Sequence, residues 1–166
     1  MKSEMETQKV KQYLIISIVD QKLDLFEDGN ISCSYDISTS KYGIGNAQNS
    51  NMTPLGMHRI VEKIGDGVPA GGIFSGRKYS SKLYSDQENE NENLITSRII
   101  ILEGLEPGFN KGSGIDSLKR GIWMHGTNEE DKIGSAASHG CIRMRNKEII
   151  DLYDKIEVGA MVEIVK

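Results

Sequence analysis

Apolar and polar positions alternate through most of the first forty residues. "YLIISIV" (13–19) is a β-rich run, "DQK" supplies turn-like residues, and "LDLFEDG" (23–29) alternates apolar with polar. "ISCSYDIS" (31–38) alternates again and puts Ile31, Cys33, Tyr35 and Ile37 on one face. Each stretch reads as a strand, with Cys33 expected as a small core side chain. "MHRIVEKI" (57–64) predicts another strand, in which His58 reads as a surface or packing residue. "LITSRIIILEG" (94–104) carries the strongest strand signal and is closed by glycine. "GIWMHGT" (121–127) reads as a strand ending in a turn at Gly126, and "MVEIV" (161–165) as the last.

The period changes only in "NKEIIDLYDKIEVG" (146–159). Ile149, Ile150, Leu152, Tyr153 and Ile156 recur as on one side of an amphipathic helix, which is expected to pack on the sheets. Asn146 is expected to cap its start, and Gly159 lies just past its end. That start is five residues beyond Cys141, too far for the helix dipole to act on the sulfur.

Two stretches break the pattern. "GIGNAQNSNMTPLG" (43–56) is a Gly-, Asn- and Pro-rich loop; its "GIG" has neither a third glycine nor a following helix, so no dinucleotide turn is read there. "SDQENENEN" (85–93) is acidic and nearly without apolar residues, hence a solvated loop. No repeat and no domain boundary appears. Residues 1–12 read as a polar tail and 13–166 as a single domain, which 166 residues can fill with one core.

Composition narrows the partners. Hydrophobic content of 37% and charged content of 27% describe a soluble globular chain. The net charge of −4 comes from interspersed charges with no basic stripe, so nucleic acid is not an expected partner. No apolar run approaches the ~18 residues of a membrane span. "MKSEMETQKVKQ" has no signal-peptide pattern, so a cytoplasmic location is expected, or the periplasmic or cell-wall side if an export segment is missing from this sequence. Two cysteines make no disulfide framework, and in a reducing compartment both would be free thiols.

The chemistry gathers near the C-terminus in "SHGCIRM" (138–144), with His125 sixteen residues before Cys141. The polar loop between them can fold back and bring the two together. A free thiol with pKa near 8.5 is only about 3% ionised at pH 7, and an adjacent imidazolium supplying roughly 2 kcal/mol would bring that pKa to about 7. The same histidine could later protonate a leaving amine. The N–H groups of Gly140 and Cys141 are candidate oxyanion donors. On spacing alone, a nucleophile, a structural thiol and a zinc ligand all stay open. Zinc would need Cys141, His139 and His125 together, and adjacent "HGC" is cramped for two ligands. A redox role lacks a Cys-x-x-Cys pair.

"HGTNEEDKIGSAASHGCIRM" closely resembles the signature of the L,D-transpeptidase catalytic domain family, the cysteine acyl transferases of peptidoglycan. "LIISIVDQKLDLFEDGNISCSYDIST" is similar to its opening strands, "TPLG" (53–56) to its Thr-Pro-x-Gly turn, and "RIIILEG" to a core strand, so the likeness covers residues 13 to 165. It implies a mainly β fold of two packed mixed sheets, a β-sandwich with one helix after the active-site loop. It implies Cys141 as nucleophile, His125 as general base and acid, and the Gly126 carbonyl as the group orienting His125. Ser138, His139, Gly140 and Arg143 are motif residues. Arg143 is a candidate for holding a peptide carboxylate or for bracing the loop, and His139 is assigned to loop architecture.

The implied reaction breaks the bond between a diamino acid and a terminal D-amino acid in peptidoglycan stem peptides or soluble muropeptides. No metal or organic cofactor is expected. An amine would resolve the thioester by transpeptidation, and water by L,D-carboxypeptidase activity; a silent peptide-binding module is the alternative outside catalysis. The substrate cleft is expected where loops 42–53 and 126–138 converge. Ser40 stands where the family has a glycine, and no peptidoglycan-binding repeat is present. The number of copies in the working protein is not set by these residues.

Overall fold

The computed structural model describes residues 11–86 and 93–166. The ten residues before Lys11 and most of the acidic "SDQENENEN" stretch lie outside the described residues. Among the described residues lie ten strands and one α-helix: β1 (Gln12–Ser17), β2 (Lys22–Glu27), β3 (Asn30–Asp36), β4 (Gly56–Ile64), β5 (Gly72–Ser75), β6 (Lys78–Leu83), β7 (Ile95–Gly104), β8 (Trp123–Gly126), β9 (Ile142–Met144), α1 (Asn146–Lys155) and β10 (Met161–Val165).

The ladders join in the order β3-β2-β1-β10-β4-β7-β5-β6, with β8 branching from β7 and β9 paired to β8. Most pairs are antiparallel, while β1–β10 and β8–β9 are parallel, so the sheet is mixed. Two packed sheets are realised as two limbs of one bonded network. Leu14, Ile16, Leu23, Leu25, Val162 and Ile164 from one limb share a single core with Ile122, Met124, Ile142 and Met144 from the other.

Helix α1 closes that core with Ile149, Leu152 and Tyr153, joined by Ile156 just past its end, all buried. Each contributes about 1.5–3 kcal/mol by leaving water, so the amphipathic stripe is what docks the helix. Its start differs from expectation. Arg145 is the N-cap residue and makes no side-chain capping bond, while Asn146 is the first helical residue and is buried. The donor at the helix start is met from outside: the Asn146 N–H donates to Glu130 Oε1 at 2.7 Å.

The alternation in β3 holds only at its end. Tyr35 and Ile37 are buried, but Ile31 is exposed and Cys33 is half-buried at the margin of the core. A register shift between Leu25 and Phe26 in the partner strand separates the two ends of the ladder. Cys33 lies 3.0 Å from Lys155 Nζ, which together with Ser32 and Tyr35 outweighs burial and lowers its pKa. His58 is fully buried, with Nε2 at 2.8 Å from Ser117 Oγ and Nδ1 at 2.9 Å from the Gly56 carbonyl. It is a packing residue rather than a surface one.

Candidate active site

The parallel pair β8–β9 builds the site. Its register is Met124↔Ile142, His125↔Arg143 and Gly126↔Met144. Met124, Ile142 and Met144 are fully buried in the core, so the alternating positions His125, Cys141 and Arg143 project from the opposite face. One step back in register sets Cys141 against Trp123, whose N–H reaches Sγ at 3.5 Å. One strand spacing and two residue rises then separate the His125 and Cys141 Cα atoms by about 8 Å, within reach of two side chains on one face.

His125 is held in one tautomer. Its Nδ1 lies 2.6 Å from the Gly126 carbonyl, an acceptor, so Nδ1 carries the proton and Nε2 keeps its lone pair. Burial pushes the imidazole down to about 4, the Gly126 carbonyl opposes this, and Arg143 adds to the lowering. Burial also raises the Cys141 thiol above its ordinary range, against the pull of the Trp123 N–H, Arg120 and Arg143. The thiol donates to the Gly121 carbonyl at 3.3 Å. The resting pair is therefore a neutral thiol and a neutral imidazole. The imidazolium expected from the sequence is displaced by the cost of burying charge.

The loop before Cys141 is held by Ser138 and Thr53. Ser138 Oγ donates to the Cys141 carbonyl at 2.6 Å and accepts the Gly140 N–H at 3.3 Å. Thr53, from the Thr-Pro-x-Gly turn, donates to the Gly140 carbonyl at 3.0 Å and accepts the Ser40 N–H at 3.0 Å. Gly140 has φ +123°, and a Cβ there would press on the Met52 carbonyl at 3.3 Å; only glycine holds this turn without strain. Ser40 ties the neighbouring loop, since its Oγ donates to the Asn51 carbonyl at 2.5 Å and accepts the Tyr42 N–H at 3.0 Å.

The cleft over Cys141, about 200 Å³, is walled by Gln48, Asn49 and Asn51, by Lys119 to Ile122, and by His139. The first predicted loop is there; the second is not. Segment 126–138 is tied down instead through Gly134 N–H to the Ile37 carbonyl (2.8 Å) and Ala137 and Ser138 N–H to the Thr39 carbonyl (2.9 and 2.8 Å). Arg143 is also outside the cleft. It is 2% exposed and bonds Asn93 Oδ1 at 2.9 Å and Glu129 Oε2 at 3.4 Å, which makes it a brace rather than a carboxylate holder. The exposed His139 lines the cleft and leans on Tyr42, ring centroids 5.7 Å apart. Among the described residues, no three His, Cys, Asp or Glu side chains are grouped to hold a metal.

A match to the L,D-transpeptidase catalytic domain spans residues 11–164. The chain belongs to that family. The putative L,D-transpeptidase YkuD of Bacillus subtilis (strain 168) is 46% identical over 66 residues, 39% of this chain and 40% of that protein. The putative L,D-transpeptidase YqjB of the same organism is 46% identical over 55 residues, 33% of this chain and 30% of its own length. The chain thus spans well under half the length of these curated relatives. Among solved structures, an L,D-transpeptidase from Mycobacterium smegmatis superposes with TM-score 0.60 at 14% identity, covering 95% of this chain and 59% of that one. The L,D-transpeptidase LdtMt1 in complex with imipenem gives 0.58 at 15% identity, covering 94% and 59%. At such identities the likeness shows the fold.

Within the L,D-transpeptidase fold, two residues around the site had no site role assigned from sequence. One is Arg120, which carries no motif signal. The other is Asn146. Its Oδ1 accepts from Thr96 Oγ1 and Ser97 Oγ, both at 2.5 Å, and its Nδ2 donates to the Thr127 carbonyl at 2.9 Å and to Glu130 Oε1 at 2.7 Å. All four hydrogen-bonding sites of the amide are used. Ser97 reaches it from a strained backbone, φ 68°, beside a register shift in β7. Gly126 packs on this platform so closely that a Cβ would sit 2.5 Å from the Thr96 carbonyl and 2.9 Å from Asn146 Oδ1. The platform seats the peptide whose carbonyl orients His125. Asn146→Ala strands these buried partners and is expected to lower unfolding free energy by about 2–4 kcal/mol in urea denaturation.

Proposed function

We propose that the chain is a cysteine acyl transferase acting on peptidoglycan stem tetrapeptides, at the bond between the diamino acid and the terminal D-alanine. The observation that carries this is the shared face of β8–β9, where Cys141 opens on a cleft and His125 stands one diagonal step away with Nδ1 committed to the Gly126 carbonyl. Cys141 Sγ attacks the scissile carbonyl while His125 Nε2 takes the thiol proton. The carbon–nitrogen bond breaks, that proton passes to the leaving amine, and D-alanine departs from a thioester. The Cys141 N–H is the oxyanion donor, because the Gly140 N–H is already given to Ser138.

An amine acceptor then forms a new amide, or water forms a carboxylic acid, and either returns the proton to sulfur through His125. The first outcome is transpeptidation and the second L,D-carboxypeptidase activity, with stem peptides of the wall or soluble muropeptides as the respective substrates. Incubation with a soluble tetrapeptide, following D-alanine with and without an amine acceptor, tests the reading. Release of D-alanine that requires Cys141 is the expected result. No release under either condition, from protein whose Cys141 still alkylates, overturns it.

A further inference from the structure

We infer that Arg120 forms an anionic subsite beside the nucleophile, and that the substrate must present a free carboxylate to it. The inference rests on the acyl-transfer reading for its substrate and on the cleft geometry for its chemistry. Arg120 is half-buried in the cleft wall, one residue from the Gly121 carbonyl that accepts the Cys141 thiol. Its guanidinium is oriented by three neutral acceptors on the opposite loop: the Met52 carbonyl at 2.6 Å, Ser50 Oγ at 3.2 Å and the Gly45 carbonyl at 3.3 Å.

No salt bridge is formed by Arg120 among the described residues, and the cleft lining contains no carboxylate. The other cleft cation, Lys119, is exposed, and its charge acts on Asp116 outside the cleft. Arg143, by contrast, has its acid in Glu129. A partly desolvated cation without a counter-charge is costly to keep in a folded protein. Three contacts leave part of a five-donor planar group unused, and that group matches a carboxylate in shape as well as charge. The amides of Gln48, Asn49 and Asn51 add neutral hydrogen-bonding groups to a lining whose charged side chains, Lys119 and Arg120, are both positive.

A tetrapeptide offers two such carboxylates close to the scissile bond: the one on the side chain of a dicarboxylic diamino acid, and the C-terminal one of D-alanine. The preorganised guanidinium gains most from whichever is held throughout binding, so its loss should appear in KM more than in kcat. The experiment compares three peptides: both carboxylates free, the side-chain carboxylate amidated, and the C-terminus amidated. Binding is read by calorimetry on the Cys141→Ala protein, and turnover on the unmodified protein.

Amidation at one of the two positions is expected to weaken binding at least about tenfold, and this identifies the source. Arg120→Gln should weaken binding of the free acid about 30-fold and abolish the discrimination, while Arg120→Lys should retain part of both. If Arg120→Gln unfolds the 45–52 loop, the Arg120→Lys protein and the amidated peptides on Arg120 itself still decide the matter. Equal affinity for all three peptides overturns the subsite. So does a change confined to the pH dependence of Cys141 alkylation, which would leave Arg120 acting on sulfur alone. Discrimination in binding without any D-alanine release would keep the subsite and discard the acyl-transfer reading.

Discussion

Cys141→Ala is expected to abolish thioester formation and to lower D-alanine release by at least about 10⁴-fold, the scale on which removing a covalent nucleophile acts. Intact mass after exposure to a stem tetrapeptide reads this directly: an acyl adduct on the native protein and none on the variant. Stability should change little, because Cys141 is half-buried at the edge of the cleft and its sulfur accepts one 3.5 Å bond from Trp123 and donates one of 3.3 Å to Gly121. The native thiol should also be slow to alkylate at pH 7, with the rate rising only above the ordinary thiol range, since burial raises its pKa. Rapid alkylation near pH 6 would show a resting thiolate–imidazolium pair and refute the neutral pair described above.

His125→Asn should cost about 10²–10⁴ in kcat, because the amide can still donate to the Gly126 carbonyl but has no basic nitrogen to take the thiol proton. The same variant tests an acid-stability effect. The imidazole falls from its usual 6.5 to about 4 in the folded protein, so the unfolded chain binds the proton first. The stabilising contribution is complete above pH 6.5 and is lost as pH falls from there to about 4. Over that window the loss reaches about 3 kcal/mol, at 1.36 kcal/mol per pKa unit. Buried His58 is shifted in the same direction, with burial again the largest cause. Urea denaturation of the native protein should therefore weaken steadily between pH 6.5 and 4, and His125→Asn should flatten much of that slope. Activity follows the same group, with an acid limb near pH 4.

Strands β1, β2, β3, β4, β7, β8 and β10 and the helix were legible in the chain because each is a local pattern, while the short β5, β6 and β9 were not. Period-two alternation marks β2, apolar β-rich runs mark β1 and β7, the i, i+3, i+4 stripe marks α1, and Ser138-His139-Gly140-Cys141 with an upstream histidine marks the candidate nucleophile. The exposure of Ile31 and the half-burial of Cys33 were not legible, because a shifted register in a hairpin ladder depends on the partner strand. Asn146 illustrates the limit best. Locally it reads as a helix cap, yet the fold spends its amide on Thr96, Ser97, Thr127 and Glu130, up to fifty residues away in sequence.

Of the two readings open for Arg143, bracing the loop is the one its surroundings fit. Arg143 lies two residues past the nucleophile, on the same face, but β9 carries it beneath the surface to Glu129. Arg120 lies outside every motif, and the turn before β8 brings it to the cleft. By itself the sequence determined which side chains can do chemistry and which segments are strands, because these follow from covalent identity and from hydrophobic periodicity within a few residues. Only the tertiary structure decided their protonation, their partners and the charge lining the cleft, because burial and Coulomb interactions depend on distance in space and not along the chain.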